Sequence, residues 1–292
     1  MTLYNISNIN QEQDIIGYLT KNDFFSKHLE KESLQDFLFK EFTLDELGLP
    51  TANELLAATL AIKDKVGLQG WINNGVESTN YKGFSLTYNP DFHISDASIY
   101  HQTWGSALLK QSFGRQRGVA KVSSIRNTYY DTYAFRKIPV IVEEYLGNLF
   151  SHFYCPLLRS RVAFSTLIQV PDLYSGWHVD EPPTHMFRIN IPLQTSEEHV
   201  LEINGKDEYS NKLIMTKHLE VGKAYIWNTR IPHRVTIKKP CSNAIERIHL
   251  VLGFGTWVSY DEDNDTFSNS DLYGLPLKTI VEEKMFLKRK YI

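Results

Sequence analysis

The side chains best suited to bind a metal ion together are those of His178, Asp180 and His233. In an extended backbone successive side chains alternate between faces, so His178 and Asp180 point the same way and can bind one ion. A metal site needs a third ligand. His233 follows an apolar run and a proline in the segment from Gly222 to Val235. The three residues therefore predict a metal site with two imidazoles and one carboxylate.

A His-x-Asp triplet is weak by itself, because 10 His and 15 Asp in 292 residues give about half such a triplet by chance. The sequence around the triplet favours a functional site over a chance occurrence. Strand-like runs at Arg161 to Val170 and His185 to Leu193 flank the triplet, and a Pro-His turn places His233 at the end of another strand. Such a ligand set leaves metal positions open, as in non-haem Fe(II) oxygenases.

Composition describes an ordinary globular chain, with 42% hydrophobic and 13% aromatic residues. The net charge of −3 and the pI near 6.4 provide no basic face for nucleic acid or an anionic membrane. Cys155 and Cys241 are too few and too far apart for a disulfide framework or a thiolate metal site. The N-terminus is polar, and no apolar run reaches ~18 residues. We expect a cytoplasmic protein that acts on a small molecule.

Helical patterns dominate the first part of the chain. Residues 1 to about 70 are expected to be helical, because one helix face is outlined by the spacing of Leu34, Phe37, Leu38 and Phe42. Thr51-x-x-Glu54 has the form of a capping box. Pro139 predicts the start of another helix that ends near Phe153.

Strand patterns follow from Arg161 to Phe254, with the short turn spacing of an antiparallel sandwich or barrel. The last segment, 278–292, predicts an amphipathic helix that either covers the barrel or joins a second subunit in a homodimer. The predicted regions are a mostly helical N-terminal scaffold (1–115), a catalytic β core (116–260), and a tail with its helix (261–292), integrated in one domain. The fold class is thus mainly β with flanking helices.

Arginines on the predicted strands indicate anion binding. Arg188 shares a strand face with Asn190, and Arg247 shares one with His249. A buried guanidinium is costly unless it meets an anion, and its fork matches a carboxylate. The alternative is a structural ion pair.

Two further groups of residues leave alternatives open. Arg126 and Tyr130 lie in a polar, Tyr-rich segment that suits either a pocket rim or a packed core. His249 either lines the pocket or makes a core hydrogen bond. His185, His199 and His218 lie near turns and are expected at the surface.

His178-x-Asp180, the distal His233 and Arg247-Ile-His-Leu resemble the Fe(II)/2-oxoglutarate dioxygenases. The resemblance is to the aspartyl/asparaginyl β-hydroxylase-like group, which includes the bacterial cis-proline hydroxylases. It covers 161–254 and implies a double-stranded β-helix. It also implies bound Fe(II), with 2-oxoglutarate and O2 as co-substrates for hydroxylation of an amino acid or peptide.

The resemblance implies a role for each matching residue. His178, Asp180 and His233 would bind iron, and Arg247 would pair with the distal carboxylate of 2-oxoglutarate. Arg188 would bind a carboxylate of co-substrate or substrate.

The remaining candidates for substrate binding are Asn190, Arg126 and Tyr130. The retained Asp180 favours a free amino acid or small derivative over a peptide. The alternatives are a peptidyl aspartyl/asparaginyl-type hydroxylase and, in another class, a non-catalytic jelly-roll module that binds a metal or ligand.

Overall fold

The structure is a computed structural model. It describes residues 4–5, 39–73, 76–90, 99–101, 133, 135–165, 176–180, 186–206, 212–237 and 245–288. In those residues no helix has both the length and the apolar character needed to cross a membrane.

β-Strands are the main regular element of the described residues. In chain order they are β1 (Tyr4–Asn5), β2 (Phe39–Thr43), β3 (Gln69–Asn73), β4 (Val76–Ser85), β5 (Leu157–Ser165), β6 (Met186–Gln194), β7 (His199–Lys206), β8 (Lys212–His218), β9 (Lys223–Trp227), β10 (His233–Ile237), β11 (Arg247–Gly255), β12 (Val258–Asp261) and β13 (Thr266–Asn269). A large sheet has the order β2-β9-β6-β11-β5-β4-β3, and a smaller one has the order β10-β7-β8. The pairings in both are antiparallel.

The chain alternates between these two sheets. It passes from β5 in the large sheet to a bridge at His178 beside β10, back to β6, and on to β7 and β8 in the small sheet. It then returns to β9, crosses to β10, and re-enters the large sheet as β11 between β5 and β6. This alternation is the double-stranded β-helix, or jelly roll, so the expected fold class is confirmed.

The central strands of the large sheet are buried on both faces. One face carries Val162, Ile189, Leu250 and their neighbours into the main core. The opposite face of the same strands carries Arg161, Arg188, Arg247 and other polar residues, since neighbouring side chains alternate. The fold thus places polar side chains between the two sheets.

In the described part of the chain, three α-helices cover the apolar face of the large sheet: α1 (Ala52–Val66), α2 (Val140–Phe150) and α3 (Leu277–Glu282). The capping box predicted at Thr51 and Glu54 is present, and Pro139 is the N-cap of α2. Gly67 is the C-cap residue of α1 and has a φ of 75°, a positive value that glycine adopts readily. Apolar residues of α3 pack in the main core, which fits the first of the two roles expected for the C-terminal helix.

Two predictions about helices need correction. The helical segment expected up to about residue 70 is interrupted, because Phe42 lies in β2, where Phe39–Thr43 pairs with β9. Pairing with a distant strand therefore overrides a local helical spacing. The C-terminal helix is shorter than expected and ends at Glu282. Apart from Tyr4–Asn5, residues 1–38 lie outside the described residues.

Candidate metal centre and cavity

The structure brings His178, Asp180 and His233 together, with one potential ligand atom of each within 4.8 Å of the others. Oδ2 of Asp180 lies 3.4 Å from Nε2 of His233 and 4.0 Å from Nε2 of His178. The two imidazole rings have their centroids 4.5 Å apart. Two imidazole nitrogens and one carboxylate oxygen thus converge on one small volume.

Backbone hydrogen bonds hold the three ligands in register. The amide of His178 donates to the carbonyl of His233 over 3.1 Å, and the amide of His233 donates back over 2.9 Å. The amide of Asp180 donates to the carbonyl of Thr229 over 2.9 Å. The predicted position of His233 at a strand end is confirmed, since it is the first residue of β10.

Both imidazoles are oriented in the same way. Nδ1 of His178 lies 3.0 Å from the carbonyl oxygen of Gly176, and Nδ1 of His233 lies 3.0 Å from that of Ile231. A carbonyl oxygen only accepts, so Nδ1 carries the proton and Nε2 presents its lone pair toward Asp180. Burial lowers the pKa of His178, which favours the neutral form that binds metals.

Arg188 of β6 contacts the carboxylate of this cluster, because its Nη1 donates to Oδ2 of Asp180. Burial alone would raise the pKa of Asp180, but the charge of the adjacent Arg188 guanidinium holds it well below its ordinary value. The carboxylate is therefore ionised, as a metal ligand must be. The role expected for Arg188, binding a carboxylate of co-substrate or substrate, stays a prediction.

The cluster opens onto a cavity of about 520 Å³ between the sheets. Its lining residues come from both sheets and from the segment around His178: Trp71, Tyr81, Arg159, Arg161, Ala163, Ser165, Gly176, Trp177, His178, Asp180, Arg188, Asn190, Trp227, His233, Val235, Arg247 and Val251. The volume is that of a site for a small molecule.

Arg247 lies in this cavity and is 8% exposed. Its Nη2 is 2.8 Å from Nδ1 of His249, which accepts the hydrogen bond and is therefore neutral. Burial lowers the pKa of Arg247 from 12.5 to about 10. Among the described residues, Arg247 has no carboxylate within ion-pair distance. This buried cation is suited to an anionic ligand.

Three other polar groups of the lining are buried and lack a hydrogen-bond partner among the described residues. They are Oγ of Ser165, Nδ2 of Asn190 and Nε1 of Trp227. Ser165 pairs in register with both Arg247 and Tyr81. Such groups are costly to bury unless a ligand or water satisfies them, so they indicate a polar ligand.

The remaining sequence-based candidates have different outcomes. Arg126, Tyr130 and His185 lie outside the described residues. The expectation that His199 is at the surface is wrong, because it is 3% exposed, and His218 is half-buried with its Nδ1 3.0 Å from the carbonyl oxygen of His199. His249 is 1% exposed, is not among the lining residues, and accepts a hydrogen bond from Arg247.

Arg159, Arg161, Ser165 and Trp227 are among the cavity residues that the sequence patterns did not single out. A signal was present in β5, whose sequence R-x-R-x-A-x-S puts two cations and two small residues on one face. Nothing in the sequence shows which face of a doubly buried strand borders the cavity.

Several solved structures are similar to this chain at low identity and low TM-score. A prolyl-4-hydroxylase from Pseudomonas putida is 12% identical, and the match covers 75% of this chain and 93% of that one at a TM-score of 0.38. A prolyl hydroxylase from Trichoplax adhaerens, in complex with a hypoxia inducible factor peptide fragment, is 11% identical over 88% and 96% of the two chains, with a TM-score of 0.38. A 2OG-Fe(II) oxygenase family oxidoreductase from Burkholderia pseudomallei is 13% identical over 68% and 77%, at 0.35.

No protein-family model and no curated protein matches the sequence. Likeness to solved structures at this level assigns neither a family nor a function. The function therefore has to be inferred from the geometry of the site itself.

Proposed function

We propose that the protein is an Fe(II)- and 2-oxoglutarate-dependent dioxygenase that hydroxylates a free amino acid or a small amino-acid derivative. The observation that carries the proposal is the combination in one cavity of a His178, Asp180 and His233 cluster with the buried cation of Arg247. A metal ion and a carboxylate of the same co-substrate would meet these two features.

The three ligands fit Fe(II). Two imidazoles and one carboxylate are the donor set of non-haem Fe(II) oxygenases, and the Nε2 atoms of both imidazoles lie near the carboxylate. The carbonyl oxygens of Gly176 and Ile231 fix the tautomer of each imidazole, as outer partners of metal ligands do. Bound Fe(II), together with 2-oxoglutarate and oxygen, would supply the chemistry that yields succinate, CO2 and a hydroxylated product.

The chain would bind the co-substrate through its far carboxylate. The guanidinium of Arg247 offers two parallel donors, and one of its nitrogens is fixed by His249. Oγ of Ser165, directly across the β5–β11 pair, is a further donor for the same carboxylate. Burial on both sides of the sheet keeps water away and strengthens these charge-assisted bonds.

Three features support a small amino-acid substrate. Asp180 is retained as a third ligand, the cavity has the volume of a small-molecule site, and it carries arginines beyond the one assigned to 2-oxoglutarate. A site that binds a substrate carboxylate through a buried guanidinium should reject the corresponding amide, because the arginine would lose its partner.

The test offers one amino acid in three forms to the protein with Fe(II), 2-oxoglutarate, ascorbate and oxygen. The forms are the free acid, its C-terminal amide, and the same residue within a short peptide. Succinate and a product heavier by one oxygen are measured for each. We expect the free acid to be turned over best.

Turnover of the peptide at or above the free acid would make the protein a peptidyl hydroxylase. Absence of succinate under every condition would leave a jelly-roll module that binds a ligand without catalysis.

A further inference from the structure

The three candidate metal ligands stand on two pieces of the chain that are attached to the fold in different ways. His233 begins β10, which pairs with β7 over five residues, and it is 4% exposed. His178 and Asp180 lie in the short segment 176–180, and the side chain of His178 is 47% exposed. The geometry of the metal centre therefore depends on how the segment 176–180 is held against β10.

Backbone hydrogen bonds provide part of this attachment. The amides of His178 and His233 each donate to the other's carbonyl oxygen, and the amide of Asp180 donates to the carbonyl of Thr229. The pairing of His178 with His233 is an isolated bridge. These three hydrogen bonds offset part of the entropy lost when a five-residue segment becomes ordered. Side-chain contacts are therefore expected to contribute to the position of His178.

One such contact joins the residue before His178 to the residue after His233. In an antiparallel pair the neighbours of bridged residues lie opposite each other, so the bridge aligns Trp177 with Arg234. Cζ of the Arg234 guanidinium lies 4.6 Å from the centroid of the Trp177 indole ring, which is within the range of a cation–π contact. The contact thus connects the two halves of the metal centre next to the ligands themselves.

Glu202 of β7 holds Arg234 from the other side. Nε of Arg234 donates to Oε2 of Glu202 over 2.6 Å, and the two residues pair in register between β10 and β7. The carboxylate binds the edge of the guanidinium, which leaves the planar face to stack on the indole. A partly exposed ion pair adds little stability by itself, so the main effect of Glu202 is on the orientation of Arg234.

Trp177, Arg234 and Glu202 therefore form one cross-strand row. The row continues into β8, because Glu202 also pairs in register with Thr216. Contacts between side chains on neighbouring strands are the unit that stabilises a sheet. The row thus ties the segment 176–180 to the three-stranded sheet β10-β7-β8.

We infer that Trp177 is a positioning residue for the metal centre, which through its contact with Arg234 holds His178 beside His233. The inference rests on the proposed function, since it concerns the Fe(II) site proposed there. When part of the population has its ligands in place, the apparent dissociation constant rises in proportion as that part falls. Trp177 is 38% exposed, and loss of an exposed cation–π contact corresponds to a change of about 5-fold.

The test measures the binding of Fe(II) alone by calorimetry, with oxygen excluded. Trp177 also borders the cavity, and leaving out co-substrate and substrate removes any effect of contacts with them. We expect Trp177→Leu and Arg234→Met each to raise the dissociation constant of Fe(II) by about 5-fold. Trp177→Phe keeps an aromatic face and should lie between wild type and Trp177→Leu. Arg230→Met makes the same chemical change as Arg234→Met at an exposed position and should bind Fe(II) as wild type does.

A double variant distinguishes one shared contact from two separate effects. Trp177→Leu combined with Arg234→Met should raise the dissociation constant by about 5-fold, as each change does alone, because either change removes the whole contact. Two independent effects would multiply to about 25-fold.

Hydrogen exchange in the metal-free protein provides a readout that does not depend on metal binding. The amides of His178 and Asp180 are both hydrogen-bonded, and their exchange reports local opening of the segment 176–180. We expect both amides to exchange about 5-fold faster in Trp177→Leu than in wild type. The amides of β11, in the centre of the large sheet, should exchange at the wild-type rate.

The possible outcomes separate this inference from the proposed function. Wild-type affinity for Fe(II) in both single variants, or a 25-fold increase in the double variant, would overturn the inference alone. Equal acceleration of exchange in the segment 176–180 and in β11 would also overturn it, because Trp177 would then be a residue of general stability. Absence of Fe(II) binding by wild type would overturn the proposed metal centre and this inference with it. The expected pattern of Fe(II) binding without any succinate formation would support the inference and overturn the proposed function.

Discussion

Replacing Arg247 with methionine separates the functional value of this residue from its cost to stability. Burial lowers its pKa from 12.5 to about 10, and at 1.36 kcal/mol per pH unit this difference corresponds to roughly 3 kcal/mol against the buried cation. Methionine removes that cost but leaves Nδ1 of His249 without its donor, which costs about 1 to 3 kcal/mol. Without 2-oxoglutarate, Arg247→Met should therefore be as stable as wild type, or up to about 2 kcal/mol more stable.

The effect on co-substrate binding should be opposite. Loss of a charge-assisted pair from a buried site costs on the order of 2 to 5 kcal/mol, so the dissociation constant for 2-oxoglutarate should rise by about 30-fold or more. A ligand present at 100 times its dissociation constant stabilises the folded state by about 2.7 kcal/mol. With a divalent metal ion present, the same concentration of 2-oxoglutarate should therefore stabilise wild type by about 2.7 kcal/mol and the variant by about 0.9 kcal/mol or less.

The assay is urea unfolding of both proteins with and without 2-oxoglutarate, with oxygen excluded. Arg230→Met makes the same chemical change at an exposed position outside the cavity lining and should respond to 2-oxoglutarate as wild type does. Equal stabilisation of Arg247→Met and wild type by 2-oxoglutarate would refute the assignment of Arg247. A large loss of stability in the absence of ligand would show that Arg247 is a structural residue.

Three further predictions follow from single side chains. Burial lowers the pKa of His199 from 6.5 to about 4 and that of His249 well below its ordinary value. Between pH 6.5 and 4 these imidazoles are therefore protonated in the unfolded chain but not in the folded one. The free energy of unfolding should fall as the pH drops over this range, by roughly 3 kcal/mol from His199 alone. A free energy of unfolding that does not change between these pH values would contradict this prediction. Ser165→Ala should weaken 2-oxoglutarate binding by about 5-fold, the value of one hydrogen bond, and unchanged calorimetric affinity would remove Ser165 from the site. Burial raises the pKa of Cys155 to about 12, so its thiol should resist alkylation at pH 8 in the folded protein and react only on unfolding.

The metal cluster could be predicted from the sequence because its chemistry depends on residue type and local spacing. His178 and Asp180 are two apart, and a Pro-His turn announces a strand end at His233. Similarly, the capping box at Thr51 and Glu54 is a local hydrogen-bond pattern, and it forms as expected. Features that depend on residues close together in the chain could therefore be predicted from the sequence.

Features that depend on pairing between strands far apart in the chain could not be predicted from the sequence. The spacing of apolar residues around Phe42 predicts a helix. Phe42 instead lies in β2, because Phe39–Thr43 pairs with β9 at the edge of the sheet. Arg161 borders the cavity only because β5 is covered on both faces, and its sequence alone does not say which face meets a cavity. His199 lies near a turn and is nonetheless buried.

Succinate formation from 2-oxoglutarate by wild type and by His233→Ala, at equal Fe(II) and oxygen, tests the assigned metal centre most directly. We expect wild type to form succinate only when Fe(II) is added. His233→Ala should form none, because two ligands do not replace the set of three. His218→Ala, which removes an imidazole outside the cavity lining, should behave as wild type. Equal succinate formation by His233→Ala and wild type, or none by wild type with Fe(II), would contradict the assignment.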